Sequence, residues 1–251
     1  MRAEAFLAFL LCACGAAAQD SAPEQLFQDA AQAQQRGNYE LAVRKFQELI
    51  QVDPNIVAAH ANLGVVLVSL GRYDEAITQY HIALAEAPGS PELRLDLGLA
   101  YYKKGDFAGA AAQFASLHQE DPGNLRVATL LGNCQIQLGL VGQALALLQP
   151  LEKTNLDNLD LEWALGTALM RAGQTLEGLQ RIQKVADQGN NAEAYQLAAD
   201  LSMGLTFFDQ AQRDAEAVIR LNPNAAKALL MAAASGALLA ALIKSLTPSR
   251  D

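Results

Sequence analysis

The side chains that could do chemistry are few and far apart. Three histidines, His60, His81 and His118, fall in different predicted helices. No H-E-x-x-H, C-x-x-C, phosphate-binding loop, dinucleotide-type glycine cluster or G-x-S-x-G pattern accompanies them. A nucleophile needs a base within hydrogen-bond reach, and a metal needs several ligands on one face. Acidic groups such as Glu40 and Asp74 occupy turn and helix-start positions, where a carboxylate favours the helix dipole. The expectation is a non-enzymatic protein without metal or cofactor.

Cysteine offers one reactive reading. Cys12 and Cys14 lie in the apolar run Ala5–Cys14, which leaves Cys134 alone in the rest of the chain. A single cysteine forms no internal disulfide, and its mid-helix position predicts a buried core thiol. The apolar run follows Arg2 and precedes Gly15-Ala16-Ala17-Ala18, then polar Gln19-Asp20. That order predicts a signal peptide over residues 1–18, cleaved after Ala18. The run is too short to span a bilayer stably. Leu11-Cys12-Ala13-Cys14 also resembles a bacterial lipobox with Cys14 acylated, although Cys12 is unusual two places before the modified residue. The first route predicts a secreted or periplasmic chain, the second a membrane-attached lipoprotein.

The remaining sequence is organised by a period. Gly37, Gly71, Gly105, Gly139 and Gly173 stand 34 residues apart, and Gly64, Gly98, Gly132 and Gly166 keep the same step. So do Ala42, Ala76, Ala110 and Ala144, and Pro54, Pro88 and Pro122. Such a period means a helix–turn–helix unit repeated along an array, each copy burying its apolar face on the next. A hydrophobic content of 51% with 6% aromatics fits alanine- and leucine-rich helices. The formal charge of −9, from 27 acidic and 18 basic residues, is spread along the chain and argues against nucleic acid as a partner.

The residues between the ladders identify the repeat. One copy reads Leu63-Gly64, Leu67, Gly71, Tyr73, Ala76, Tyr80, Ala83 and Pro88; the next reads Leu97-Gly98, Tyr101, Gly105, Phe107, Ala110, Phe114, Leu117 and Pro122. The pattern resembles the tetratricopeptide repeat family over most of the chain after the signal segment. It implies an all-α, right-handed α-solenoid of six repeats at 23–56, 57–90, 91–124, 125–158, 159–191 and 192–225, with a capping helix and tail over 226–251. Gly64 and Ala76 are expected to face each other where the paired helices cross. Gly71 is expected in a left-handed turn. Departures gather toward the ends. Ala30 replaces a ladder glycine, Leu156 and Asn190 replace closing prolines, and Gly178 replaces the small alanine. The sixth repeat is one residue out of step, with Ala199 and Thr206 at the glycine sites.

The resemblance also implies a binding face, because the first helix of each repeat lines the concave surface in this family. One expected row is Val68, Tyr102, Ile136, Met170 and Met203; its neighbour is Val65, Leu99, Asn133, Thr167 and Asp200. Leu95, Leu130 and Trp163 lie further along, with Asn62, Asp96 and Arg126 between them. The groove residues expected to touch a protein or peptide partner are Leu95, Leu99, Tyr102, Leu130, Asn133, Ile136, Trp163, Met170 and Met203. Packing against neighbouring helices is the competing role for the same side chains. Family members that hold acidic chaperone tails use a lysine, asparagine and arginine clamp. The corresponding positions here are Phe27, Ala31, Asn62, Glu92 and Asp96, so an acidic peptide is not expected.

The segment Ala228–Ile243 is apolar and bounded by Lys227 and Lys244. It reads as a helix covering the end of the stack, with partner docking and membrane contact as alternatives. The functional expectation is an exported interaction scaffold. Its alternatives are an envelope assembly lipoprotein tethered through Cys14 and an accessory subunit that positions a separate enzyme.

Overall fold

The computed structural model describes residues 22–222. The expected signal peptide over residues 1–18, with Cys12 and Cys14, and the expected capping helix and tail over 226–251 lie outside the described residues. All regular structure among the described residues is helical, and it divides into two compact units, residues 1–106 and 107–251.

The N-terminal unit contains α1 (Ala22–Gln35), α2 (Tyr39–Val52), α3 (Val57–Ser69), α4 (Tyr73–Glu86) and α5 (Pro91–Lys104). The C-terminal unit contains α6 (Phe107–Glu120), α7 (Leu125–Gln137), α8 (Val141–Glu152), α9 (Leu159–Arg171), α10 (Thr175–Gly189), α11 (Ala192–Gly204) and α12 (Phe208–Leu221). Within each unit, successive helices pack as antiparallel neighbours joined by short turns. Side-chain caps start most of the odd-numbered helices. Ser90 accepts from Leu93 N–H at 3.2 Å, Asn124 from Val127 at 3.2 Å, Asn158 from Leu161 at 2.8 Å and Asn191 from Ala194 at 3.1 Å.

One turn is built six times. After the first helix of each pair, an N–H reaches back five residues: Asn38 to Ala33, Arg72 to Leu67, Asp106 to Tyr101, Leu140 to Gln135, Gln174 to Leu169 and Phe207 to Ser202. This is the hydrogen bond of a glycine-terminated helix end. The residue before each of these donors has positive φ, from +74° to +86° at the five ladder glycines. At the sixth turn the residue is Thr206, at φ +65°. A β-branched side chain in the left-handed region is strained.

The glycines inside the first helices have another task. A Cβ on Gly64 would lie 2.7 Å from the Tyr80 ring, and one on Gly132 would lie 2.7 Å from Leu148. On Gly166 it would come within 2.9 Å of Ile182. The nearest neighbour of a Cβ at Gly64 is therefore the Tyr80 ring, while Ala76 is buried in the same core. Each such glycine makes room for a large side chain sixteen residues later. Gly178 is tighter still: a Cβ there would meet Met170 Cγ at 2.5 Å and the Gly166 carbonyl at 2.8 Å. The alanine of the other repeats does not fit between α9 and α10.

Candidate functional site: the first-helix surface

In the N-terminal unit, a cleft of about 590 Å³ opens between α3 and α5. Val65 and Val68 form one wall and Leu99 the other, with Tyr80 and Ala100 at its base. Asp96 and Lys103 also line it, two turns apart on α5. Tyr80 is 2% exposed; burial raises its phenol pKa, and the field of Asp96 raises it further. It is therefore a neutral hydroxyl on an aromatic floor. Leu95 and Tyr102 are half-buried on the same helix, outside the lining of the cleft. The clamp position Asn62 spends its side-chain N–H on the Ala58 carbonyl at 2.8 Å, and Glu92 accepts from Ser90 Oγ at 3.0 Å. Neither is arranged to grip a carboxylate.

In the C-terminal unit, the expected row separates into surface and core. Leu130, Asn133 and Met203 are half-buried. Ile136 is 1% exposed and packs with Ala144 of α8 and Ala168 of α9. It belongs to the core and not to a groove, because its side chain fills the contact of α7 with the next pair. Trp163 and Met170 are half-buried and pack against the cluster of Leu179, Ile182, Val185, Ala194 and Ala198. Both fasten α9 to later helices, so truncating them disturbs packing as well as surface.

Sequence reasoning missed an ionic network in this unit. Glu162 of α9, 4% exposed, accepts from Arg181 Nη1 at 2.8 Å and from Lys184 Nζ at 2.7 Å, both on α10. Arg181 also pairs with Glu152 of α8 at 2.8 Å. Lys184 donates to the carbonyl of Leu156, in the loop that lacks its closing proline. The signal was present in the register: residues nineteen apart form the same contact in the second repeat, where His60 Nδ1 meets the Gln79 side-chain oxygen at 2.7 Å.

The remaining reactive groups are structural. Cys134 is fully buried, and burial pushes its thiol pKa up to about 12, so it stays protonated and inert at neutral pH. Asp214 is 2% exposed and accepts from Gln183 and Gln210; burial raises its pKa against those hydrogen bonds. His60 also bonds the Pro54 carbonyl through Nε2 at 2.9 Å, tying a loop to α4. Among the described residues, no group of three or more histidines, cysteines or carboxylates is placed to hold a metal ion. No helix among them is long and apolar enough to cross a membrane.

Comparison with known proteins agrees with this architecture. No curated protein sequence matches the chain. A tetratricopeptide repeat model matches residues 29–91 and 62–124, and a second matches 101–162. Among solved structures, a tetratricopeptide repeat protein from Parabacteroides merdae is similar at TM-score 0.71 and 18% identity, covering 79% of each chain. PilW, a type IV pilus biogenesis factor, is similar at TM-score 0.68 and 18% identity, over 81% of this chain and 95% of its own. PilF of Pseudomonas aeruginosa is similar at TM-score 0.63 and 23% identity, over 85% of this chain and 98% of its own. At these identities the likeness is one of fold. With matches running from residue 29 to 162 and an all-α solenoid architecture, the chain belongs to the tetratricopeptide repeat family.

Proposed function

We propose that the chain is an exported, non-catalytic scaffold that holds a protein or peptide segment, with the α3–α5 cleft as its principal seat. The cleft itself carries the reading. Its apolar walls, Val65, Val68 and Leu99, suit the anchor side chains of an extended or helical segment. Asp96 and Lys103 supply opposite charges about 10 Å apart along α5, enough to fix the direction of a bound chain. Leu95 and Tyr102 would extend this surface. Leu130, Asn133 and Met203 would offer a second, more polar one, with Trp163 and Met170 contributing their exposed parts. Ile136 takes no part.

The setting proposed is extracytoplasmic, from the N-terminal segment. Similarity in fold to PilW supports an assembly role in a bacterial envelope. Acylation at Cys14 would make the same scaffold a tethered one. The mass of the mature N-terminus separates the routes: a chain beginning at Gln19 excludes the lipoprotein.

The cleft is tested by Val68→Asp combined with Leu99→Asp, both partly exposed positions. Capture of a cross-linked partner from the extracytoplasmic fraction should fall about tenfold or more while helicity is kept. Undiminished capture by a folded double variant would remove the cleft from the account.

A further inference from the structure

The turns inside the helix pairs present different surfaces in the two units. In the N-terminal unit they are charged and linked to one another. Arg72 reaches Glu40 of the preceding turn at 3.9 Å and Glu75 at 2.6 Å, and Lys104 reaches Asp74 at 2.6 Å. In the C-terminal unit the corresponding turns span 137–143, 171–177 and 204–210, and the first contains no charged residue. Their large side chains face water instead: Leu138 is 41% exposed, Leu140 42%, Leu176 51%, Phe207 45% and Phe208 55%. The turns of two successive pairs lie side by side, since Arg171 donates to the Ile136 carbonyl at 3.1 Å. Helices α9 to α12 pack in sequence, so the third turn continues that edge. At the repeat positions of Leu140 and Phe207 the N-terminal turns carry Asn38 and Arg72, and at that of Leu176 they carry Glu40 and Asp74, so the fold does not require an apolar residue at these three; Leu138 and Phe208 share their positions with Leu70 and with Tyr39 and Tyr73.

We propose that this edge docks on the surface of a lipid bilayer, with Leu138, Leu140, Leu176, Phe207 and Phe208 entering the boundary between headgroups and acyl chains. Three features select lipid over other occupants. The exposed apolar area is on the order of 400 Å², about half of what each partner contributes to a stable protein dimer. The side chains project from turn tips as a ridge, which a fluid surface accepts without a shaped counterpart. The one arginine of the three turns, Arg171, is spent on the Ile136 carbonyl and the Gln137 side chain, and the turns hold no tyrosine, so the strip offers neither of the anchors that mark protein interfaces. Glu177 and Asp209 flank it, and the chain carries −9, so the favoured surface is zwitterionic and not anionic.

The test is flotation of the full chain with phosphatidylcholine vesicles, comparing wild type with the triple variant Leu140→Gln, Leu176→Gln, Phe208→Gln. These positions are exposed, so the melting temperature should be unchanged. Vesicle partitioning should fall about tenfold or more, with Leu140→Gln alone giving a smaller loss. Adding phosphatidylglycerol should not increase binding, and raised salt should not release it. Equal flotation of a folded triple variant would overturn the proposal. So would loss of binding only when Leu238 and Leu242 of the C-terminal apolar run are changed to Gln. Absence of vesicle binding, with the triple variant instead abolishing a dimer seen in sedimentation, would assign the edge to a second copy.

Discussion

The N-terminal unit follows its repeat pattern closely, whereas the C-terminal unit departs from it and compensates locally. In the first, the turns carry left-handed glycines, Gly64 makes room for the Tyr80 ring at a helix crossing, and exposed ion pairs decorate the edge. In the second, two departures have a counterpart and a third has none. The loop at Leu156 lacks its proline and is held by Lys184, itself paired to buried Glu162. Gly178 lets α10 settle onto the Gly166 carbonyl and Met170. Thr206 occupies a glycine conformation with no compensation among the described contacts. A repeat therefore tolerates loss of a consensus residue where a long side chain or closer helix approach restores the contact. It bears strain where only backbone conformation is at stake.

The sharpest way to break this comparison is to restore the consensus alanine at Gly178. In the C-terminal unit, Gly178→Ala should cost about 3 kcal/mol, because its Cβ meets a backbone carbonyl that cannot swing away. Gly64→Ala in the N-terminal unit should cost less, since its obstacle is the Tyr80 ring. Chemical denaturation of the two variants, read by far-ultraviolet circular dichroism, orders them. Equal costs would deny that the α9–α10 approach is special.

A gain is expected at Thr206. Thr206→Gly relieves a left-handed β-branched residue and should stabilise the sixth repeat by about 1 kcal/mol, net of the added flexibility of the unfolded chain. Hydrogen exchange of α11 and α12 amides should slow. The smallest effect belongs to the N-terminal edge. Arg72 is 34% exposed and its partner Glu75 53%, so solvent screens the pair and Arg72→Ala should leave the melting curve unmoved within its resolution at moderate salt. A large loss there would mean that the edge ion pairs hold the turns together.

Most of the fold was legible because backbone requirements recur at a fixed step. Gly71 and Gly105 announce positive φ, and Ser90 and Asn124 announce helix starts. Side-chain direction was less legible. Ile136 and Val68 occupy the same repeat position, yet Val68 lines the α3–α5 cleft whereas Ile136 is buried against Ala144 of α8 and Ala168 of α9. For Trp163 the sequence leaves groove contact and helix packing both open, and the side chain is half-buried against a cluster that includes Ile182 of α10 and Ala194 of α11. A one-dimensional register gives the face of a helix; how closely the following pair approaches that face depends on side chains such as Met170 and Gly178. The network around Glu162 was hidden for a related reason. Its members are spread across three helices and lie at positions that are polar in one repeat and apolar in another, as with Ala128 and Leu147.

The central claim is that a partner segment lies in the α3–α5 cleft, and site-specific photo-cross-linking tests it most directly. A photoreactive residue would be placed at position 65 or 99 in the cleft, and at position 82 on exposed Ile82 of α4 as the control. The expected result is one recurrent cross-linked peptide from both cleft positions and none from position 82. The same products from all three positions, or a specific product from position 82 alone, would contradict the account.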